Sequence, residues 1–329
     1  LKTILVTGGA GYIGSHTVKV LLEKGYNVVV LDNLVTGHHG AVLTDSFYQG
    51  DISDAELITT IVEKHQIDAA IHFAARSLVG ESMTRPDLYF HENTAKTGMF
   101  LSALIQNGVK KIVFSSTAAV YGLPETVPIS EQTPKAPINP YGLSKWMIEQ
   151  SFEWLEKAYG LQWIALRYFN AAGASLDHSI GEDHQPETHL IPLVLQTALG
   201  QREAIHVFGN DYNTPDGTCI RDYIHVLDLA EAHVLALQAL NDGHPSRAFN
   251  VGTGQGYSVR EVIETARRIT GHPIPVVDAP RREGDPDSLV AQVDDIQQQL
   301  NWQPRYSDLD TIIQTAWNWH KNNPNGYSS

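Results

Sequence analysis

The chain has 329 residues, 42% apolar and 18% charged, a balance that supports a sizeable core in one large or two intimate domains and excludes a disordered chain. Its net charge of −14, relieved only by short basic pairs such as Lys110-Lys111 and Arg267-Arg268, argues against a broad nucleic-acid surface. The single cysteine, Cys219, excludes an internal disulfide or a cysteine-rich metal centre, and no apolar run reaches the roughly 18 residues of a membrane span, so the expected setting is the cytoplasm.

The first apolar run, Ile4-Leu5-Val6, predicts a strand, and the spacing of Val18, Leu21 and Leu22 predicts a helix after it. Between them stand Gly8, Gly9, Gly11 and Gly14. A turn without Cβ atoms lets backbone N–H groups approach a diphosphate, and the following helix directs its positive end at the same anion. A second strand over 27–31 ends at Asp32, where an acid takes the ribose hydroxyls of a dinucleotide. The segment 32–37 holds no Arg or Lys to neutralise a 2′-phosphate, so NAD is expected rather than NADP.

Next come a short strand near 47–48 and a helix over 54–65, with Ser53 and Glu56 reading as its capping box. A buried strand over 69–73 leads to Ala74-Ala75, small residues at a strand's carboxyl end, where an open α/β sheet binds ligands. A helix over 87–106 carries Asn93. The strand over 111–116 ends among the hydroxyls Ser115, Ser116 and Thr117. A proline-rich loop, a helix over 141–159 and a strand over 163–169 follow. This alternation predicts a Rossmann-type, doubly wound parallel sheet over 1–175. Beyond it the elements shorten, with helices near 190–199, 226–240, 258–269 and 309–320, and 176–329 reads as a smaller mixed α/β substrate lobe. The strand over 248–251 is expected to return to the first sheet, so that parts of 220–257 rejoin the first domain.

Tyr141 and Lys145 lie four apart, one turn from each other on a single helix face. A tyrosine hydroxyl has a pKa of about 10, and a neighbouring ammonium brings it toward working pH. Such a pair serves as general base toward an alcohol whose carbon gives up hydride. The order of glycine turn, strand-end Thr117 and Tyr-x-x-x-Lys resembles the extended short-chain dehydrogenase/reductase family. Similarity to its sugar-nucleotide epimerases runs through Val6-Thr7-Gly8-Gly9-Ala10-Gly11-Tyr12-Ile13-Gly14, His72-Phe73-Ala74-Ala75, Leu166-Arg167-Tyr168-Phe169-Asn170, Arg221-Asp222-Tyr223 and Arg281-Arg282-Glu283-Gly284-Asp285.

That resemblance implies an NAD-dependent isomerase that interconverts UDP-galactose and UDP-glucose through a 4-keto sugar. Tyr141 would take the O4 proton, Thr117 would relay it and bind substrate, and Lys145 would hold the nicotinamide ribose and tune Tyr141. The implied cofactor contacts are Gly8, Gly11, Tyr12, Ile13, Gly14, Asp32, Asn33, Asp51, Ile52, Phe73, Ala74, Ala75, Asn93, Ser115 and Phe169, with Tyr141 and Lys145. The implied uridine diphosphate contacts are Asn170, His189, Leu190, Phe208, Arg221, Arg282 and Asp285. Arginine forks suit a diphosphate and an aromatic face suits a base, which gives Arg221, Arg282 and Phe208 a chemical reason as well. The helices over 87–106 and 141–159 resemble the family's dimer surface and imply a homodimer.

Several positions depart from the family's pattern. Thr117 stands where some members have Ser, Ser77 where some carry a lysine, His189 where Asn is common, and Leu289 where a tyrosine would exclude N-acetylated sugars. Leu289 therefore leaves UDP-N-acetylglucosamine open as a substrate. A dehydratase or decarboxylase of the same fold would need an acid directly after Thr117, and the chain has Ala118-Ala119; a silent NAD-binding sensor has no use for both Tyr141 and Lys145. A second glycine-bearing stretch, Gly252-Thr253-Gly254-Gln255-Gly256, has Tyr257 where close helix packing wants glycine and reads as a plain turn before an N-cap at Ser258. The fifteen histidines match no H-E-x-x-H or Cys/His spacing, so no metal site is expected.

Overall fold

In the computed structural model, which describes residues 2–282 and 284–327, the aliphatic runs become parallel strands of one sheet. Strand β1 (Thr3–Thr7) is followed by helix α1 (Tyr12–Glu23), β2 (Asn27–Asp32), β3 (Phe47–Gln49), α2 (Ala55–His65) and β4 (Ala69–His72). Ile4 and Val6 of β1 face one side and Leu5 the other, all fully buried, as expected of a strand covered on both faces. The capping box expected at Ser53 is not formed. Asp54 is the N-cap, accepting from the Leu57 N–H at 3.0 Å, because the Ser53 hydroxyl is drawn to Asp51 Oδ1 at 2.6 Å.

Two short helices come next, α3 (Val79–Thr84), which no sequence signal announced, and α4 (Pro86–Tyr89). The expected single helix over 87–106 is broken: α4 passes into a π-helical turn over Phe90–Ala95 and then into α5 (Lys96–Gln106). Within that widened turn the buried Asn93 amide hydrogen-bonds both the N–H and the carbonyl of Arg76, at 2.8 and 3.0 Å, and the Ser144 hydroxyl. Strand β5 (Lys111–Thr117), helix α6 (Pro140–Tyr159) and strand β6 (Gln162–Tyr168) complete this half. Asn139 caps α6 through the Gly142 N–H, and Pro140 occupies its first turn.

The second half runs through β7 (Asn170–Ala172), α7 (Leu190–Ala198), β8 (Ile205–Phe208), β9 (Ile220–His225), α8 (Val226–Asn241) and β10 (Arg247–Val251), then β11 (Gly256–Ser258), α9 (Val259–Thr270), β12 (Val276–Ala279), β13 (Ser288–Leu289), α10 (Asp294–Leu300) and α11 (Leu309–Asn322). β10 joins the first sheet beside β6, giving the order β10-β6-β5-β4-β1-β2-β3, and α8 packs against α1 beneath it. β9 pairs with β7 and β13 in parallel and with β11 antiparallel, and β8 pairs with β12. A separate core of Ile191, Leu195, Val262, Ile312 and Trp317 holds α7, α9 and α11 together. Among the described residues no helix is long and apolar enough to cross a membrane.

Candidate active site

The carboxyl ends of β1, β2 and β4 meet at the first glycine turn. Gly8 has φ +70°, and a Cβ there would sit 2.7 Å from the Ala74 nitrogen; one on Gly14 would sit 2.1 Å from the Gly8 carbonyl oxygen. The turn therefore lies directly against Phe73 and Ala74. α1 begins behind Gly11 with no side chain capping it, so its first-turn N–H groups are left for an anion. At the end of β2 the buried Asp32 accepts from the Ala10 and Leu34 N–H groups at 3.0 and 2.9 Å. Burial pushes its carboxyl up, against those two hydrogen bonds. The close-packed turn, the uncapped helix and a carboxylate with spare lone pairs at the strand end fit a dinucleotide.

The other expected cofactor positions divide. Gly50, next to Asp51, donates from its N–H to the Asp32 carbonyl, which brings Asp51 and the buried Ile52 beside the β2 end. Asp51 itself is held by the Lys96 ammonium at 2.7 Å and by Ser53; these lower its carboxyl to about 2 although burial opposes them. Asn33 lies exposed beyond Asp32, and its Oδ1 takes the Val35 N–H. Tyr12 and Ile13 open α1, but the Tyr12 hydroxyl is committed to the Gly173 carbonyl at 2.6 Å. Asn93 has both amide hydrogens engaged by Arg76 and Ser144, so it positions the segment after Ala75. The Phe73 ring lies 4.7 Å from that of His233, and Phe169 is tied to Val251 through its N–H.

At the end of β5, Thr117, Tyr141 and Lys145 come together, with Thr117 and Lys145 buried and Tyr141 half-buried. The Thr117 hydroxyl accepts from the Ala119 N–H at 3.1 Å and faces the Tyr141 hydroxyl. The Lys145 Nζ donates to the Ser115 carbonyl at 2.8 Å and sits 4.9 Å from the centre of the Phe114 ring. Burial pushes the Tyr141 hydroxyl up, opposed by Thr117 alone, and burial lowers Lys145 to about 7, opposed by Glu149.

In the second half, Asp285 gathers two arginines. Its carboxylate lies 3.0 Å from Arg282 Nε and 3.5 Å from Arg221 Nη2, and the Arg282 guanidinium stands over the Phe208 ring at 5.0 Å. Arg221 is further fixed by the Ile220 and Pro286 carbonyls. Glu283 of the same motif lies outside the described residues. Leu289 pairs in register with Arg221 and packs near Phe169 in the cluster around Tyr121. Asn170 pairs with Tyr223 at the start of β7. His189 is the N-cap residue of α7, next to Leu190, and its ring is engaged by Glu182 and Glu187.

The model of the NAD dependent epimerase/dehydratase family matches residues 4–252. The chain belongs to that family. It is 58% identical over 326 residues to a UDP-glucose 4-epimerase of Halalkalibacterium halodurans, covering 99% of this chain and 98% of the relative. A crystal structure of a UDP-glucose 4-epimerase matches with a TM-score of 0.97 and 50% identity over the whole of both chains. The UDP-glucose 4-epimerase of Bifidobacterium longum, solved with NAD+ and UDP, matches with a TM-score of 0.92 and 39% identity, covering 99% of this chain and 100% of that one.

In this epimerase/dehydratase chain two side-chain clusters carry no signal strong enough to be recognised from sequence spacing alone. Glu149 and Arg167 form an ion pair of 2.6 Å beneath the β5 end, joined by Ser116 and Tyr121. The signal for it was Glu149 at four residues from Lys145 and eight from Tyr141, on the same face of α6. The second is Glu182, His184, Glu187 and His189, whose spacing matches no H-E-x-x-H or Cys/His pattern.

Proposed function

We propose that the chain interconverts UDP-galactose and UDP-glucose by inverting C4 of the hexose, with NAD as resident cofactor. The observation that carries this reading is the trio Thr117, Tyr141 and Lys145 at the sheet's carboxyl edge, beside the glycine turn, in a chain similar over its full length to UDP-glucose 4-epimerases. NAD, when bound, supplies the acceptor for the C4 hydrogen and its electron pair, the return to the opposite face, and a positive ring charge. The turn from Gly8 to Gly14 and Asp32 would hold it.

The Tyr141 oxygen takes the O4 proton as the sugar becomes a ketone and gives it back after the sugar has turned over. Thr117 passes that proton across the short gap to the sugar. Lys145 bonds the ribose and, charged, offsets the phenolate. Because burial holds the Tyr141 hydroxyl protonated in the chain alone, the catalytic state needs positive charge brought beside it. Arg221 and Arg282, oriented by Asp285, grip the diphosphate, and Phe208 offers a face to the uracil. Ala118-Ala119, where a dehydratase needs an acid, favours epimerisation over elimination.

Leu289 extends the proposal to UDP-N-acetylglucosamine, since it is smaller than the tyrosine that would exclude the acetamido group. Residues 1–175 with the returning 226–251 would form the cofactor half and the rest the sugar-nucleotide half. The exposed Met83, Met99, Met147 and Trp154 on α3, α5 and α6 support a homodimer built on those helices, and a lone buried cysteine is at home in the reducing cytoplasm. The deciding experiment mixes purified protein with UDP-galactose and no added nicotinamide. UDP-glucose should accumulate with no net NADH; an unsaturated or decarboxylated sugar, or no conversion, overturns the reading.

A further inference from the structure

The segment between β7 and α7 contains Glu182-x-His184-x-x-Glu187-x-His189, with no helix or strand over those eight residues. One donor atom from each side chain lies within 4.8 Å of every other. The contacts do not divide into two independent ion pairs. Both imidazole Nδ1 atoms face the same oxygen, Glu182 Oε1, at 3.0 and 2.9 Å, and both also approach Glu187, at 3.7 and 2.9 Å. Four donor atoms this close together can close around one small cation. A tetrahedral ion with bonds of about 2.1 Å sets its ligands about 3.4 Å apart, a value bracketed by these separations.

We propose that Glu182, His184, Glu187 and His189 bind one divalent ion of the zinc class, which staples this segment ahead of α7. Two carboxylates, their side chains only 4% and 6% exposed, share that small space with the two imidazoles. A divalent ion takes the Nδ1 lone pair of each ring, so a proton held there is released to solvent or moves to Nε2. Two imidazoles and two carboxylates suit zinc better than calcium or magnesium, which favour oxygen alone. Access is provided by a cavity of about 280 Å³, lined by Glu182, His184 and Glu187 together with Gln196 and Asn323. The role of the ion is to hold the loop ahead of α7, where the resemblance also places His189 and Leu190 beside the uridine diphosphate. This segment is otherwise secured by side chains, among them Asp183, which takes the Tyr327 N–H at 2.9 Å.

The test uses the full chain, stripped with EDTA and dialysed into metal-free buffer, then titrated with zinc chloride by calorimetry and assayed by plasma mass spectrometry. One equivalent per chain is expected, with a rise in the thermal unfolding midpoint. His184→Gln and Glu187→Gln should each weaken zinc binding at least 100-fold and remove the thermal gain, whereas His272→Gln, at an exposed histidine, should leave both intact. Far-UV circular dichroism checks that the variants fold. Should they fail to fold, cobalt(II) added to the unaltered chain must give the visible d–d absorption of a low-symmetry nitrogen and oxygen site. Substoichiometric zinc, equal affinity in the folded variants, or a cobalt spectrum of the free aquo ion overturns the proposal.

Discussion

Two glycine-bearing turns, at 8–14 and 252–256, each follow a buried strand and precede a helix, yet the chain uses them in opposite ways. At the first, no side chain caps α1 and the turn's backbone is kept bare. At the second, the anion is already part of the protein. The buried Asp222 carboxylate accepts from the N–H and hydroxyl of Thr253 at 2.8 and 2.9 Å, the N–H of Gly254 at 3.0 Å and that of Ala291 at 3.1 Å. The following helix start is closed by a capping box, Ser258 with Glu261. An anion site is therefore defined by the N–H groups left over once the protein's own acceptors are counted, and glycine spacing alone does not report that remainder.

This contrast can be broken by substitution. Tyr141→Phe, next to the first turn's site, should lower turnover about 10²- to 10⁴-fold while leaving NAD content and the unfolding midpoint unchanged; a similar loss in a fully folded Asp222 variant would erase the distinction between the turns. Asp222→Ala takes the acceptor from Thr253, Gly254 and the buried Ala291 N–H and should cost about 3 kcal/mol in urea unfolding, with NAD bound normally by the molecules that remain folded. Asp32→Asn should weaken NAD about tenfold or more by fluorescence titration, since it removes a charged acceptor at the ribose position, and should leave the second turn's stability contribution intact. Ser258→Ala should cost about 1 kcal/mol in the same urea assay with no change in NAD affinity, which marks the second turn as structural.

The dinucleotide half was legible because its physics is local. Apolar runs of strand length, glycines at fixed spacing and an acid at a strand end are each visible in a short window, and β1, β2, β4, β5 and β6 appear where those runs stand. The return of 248–251 to the sheet could be read from its apolar run, as β10 shows. What could not be read depends on partners far along the chain. β8, β12 and β13 are short and take their place only through pairing with one another or with β9. Ser53 has the right identity for a cap, but the nearby Asp51 draws its hydroxyl away. The Glu149–Arg167 pair joins residues 18 apart, and the Glu182–His189 cluster needs a loop conformation that no periodicity encodes.

The π-helical turn over Phe90–Ala95 carries a last consequence. An i→i+5 turn accommodates one residue more than a regular helix would over the same rise. Deleting one residue there would let the chain close into an unbroken α-helix, still well formed by circular dichroism, with α5 keeping its present facing and the side chains of the turn itself re-aimed. Asn93, inside the turn, would lose Arg76. In this stretch the count of residues works as a ruler: exchanges of side chain are tolerable where a change of length is not.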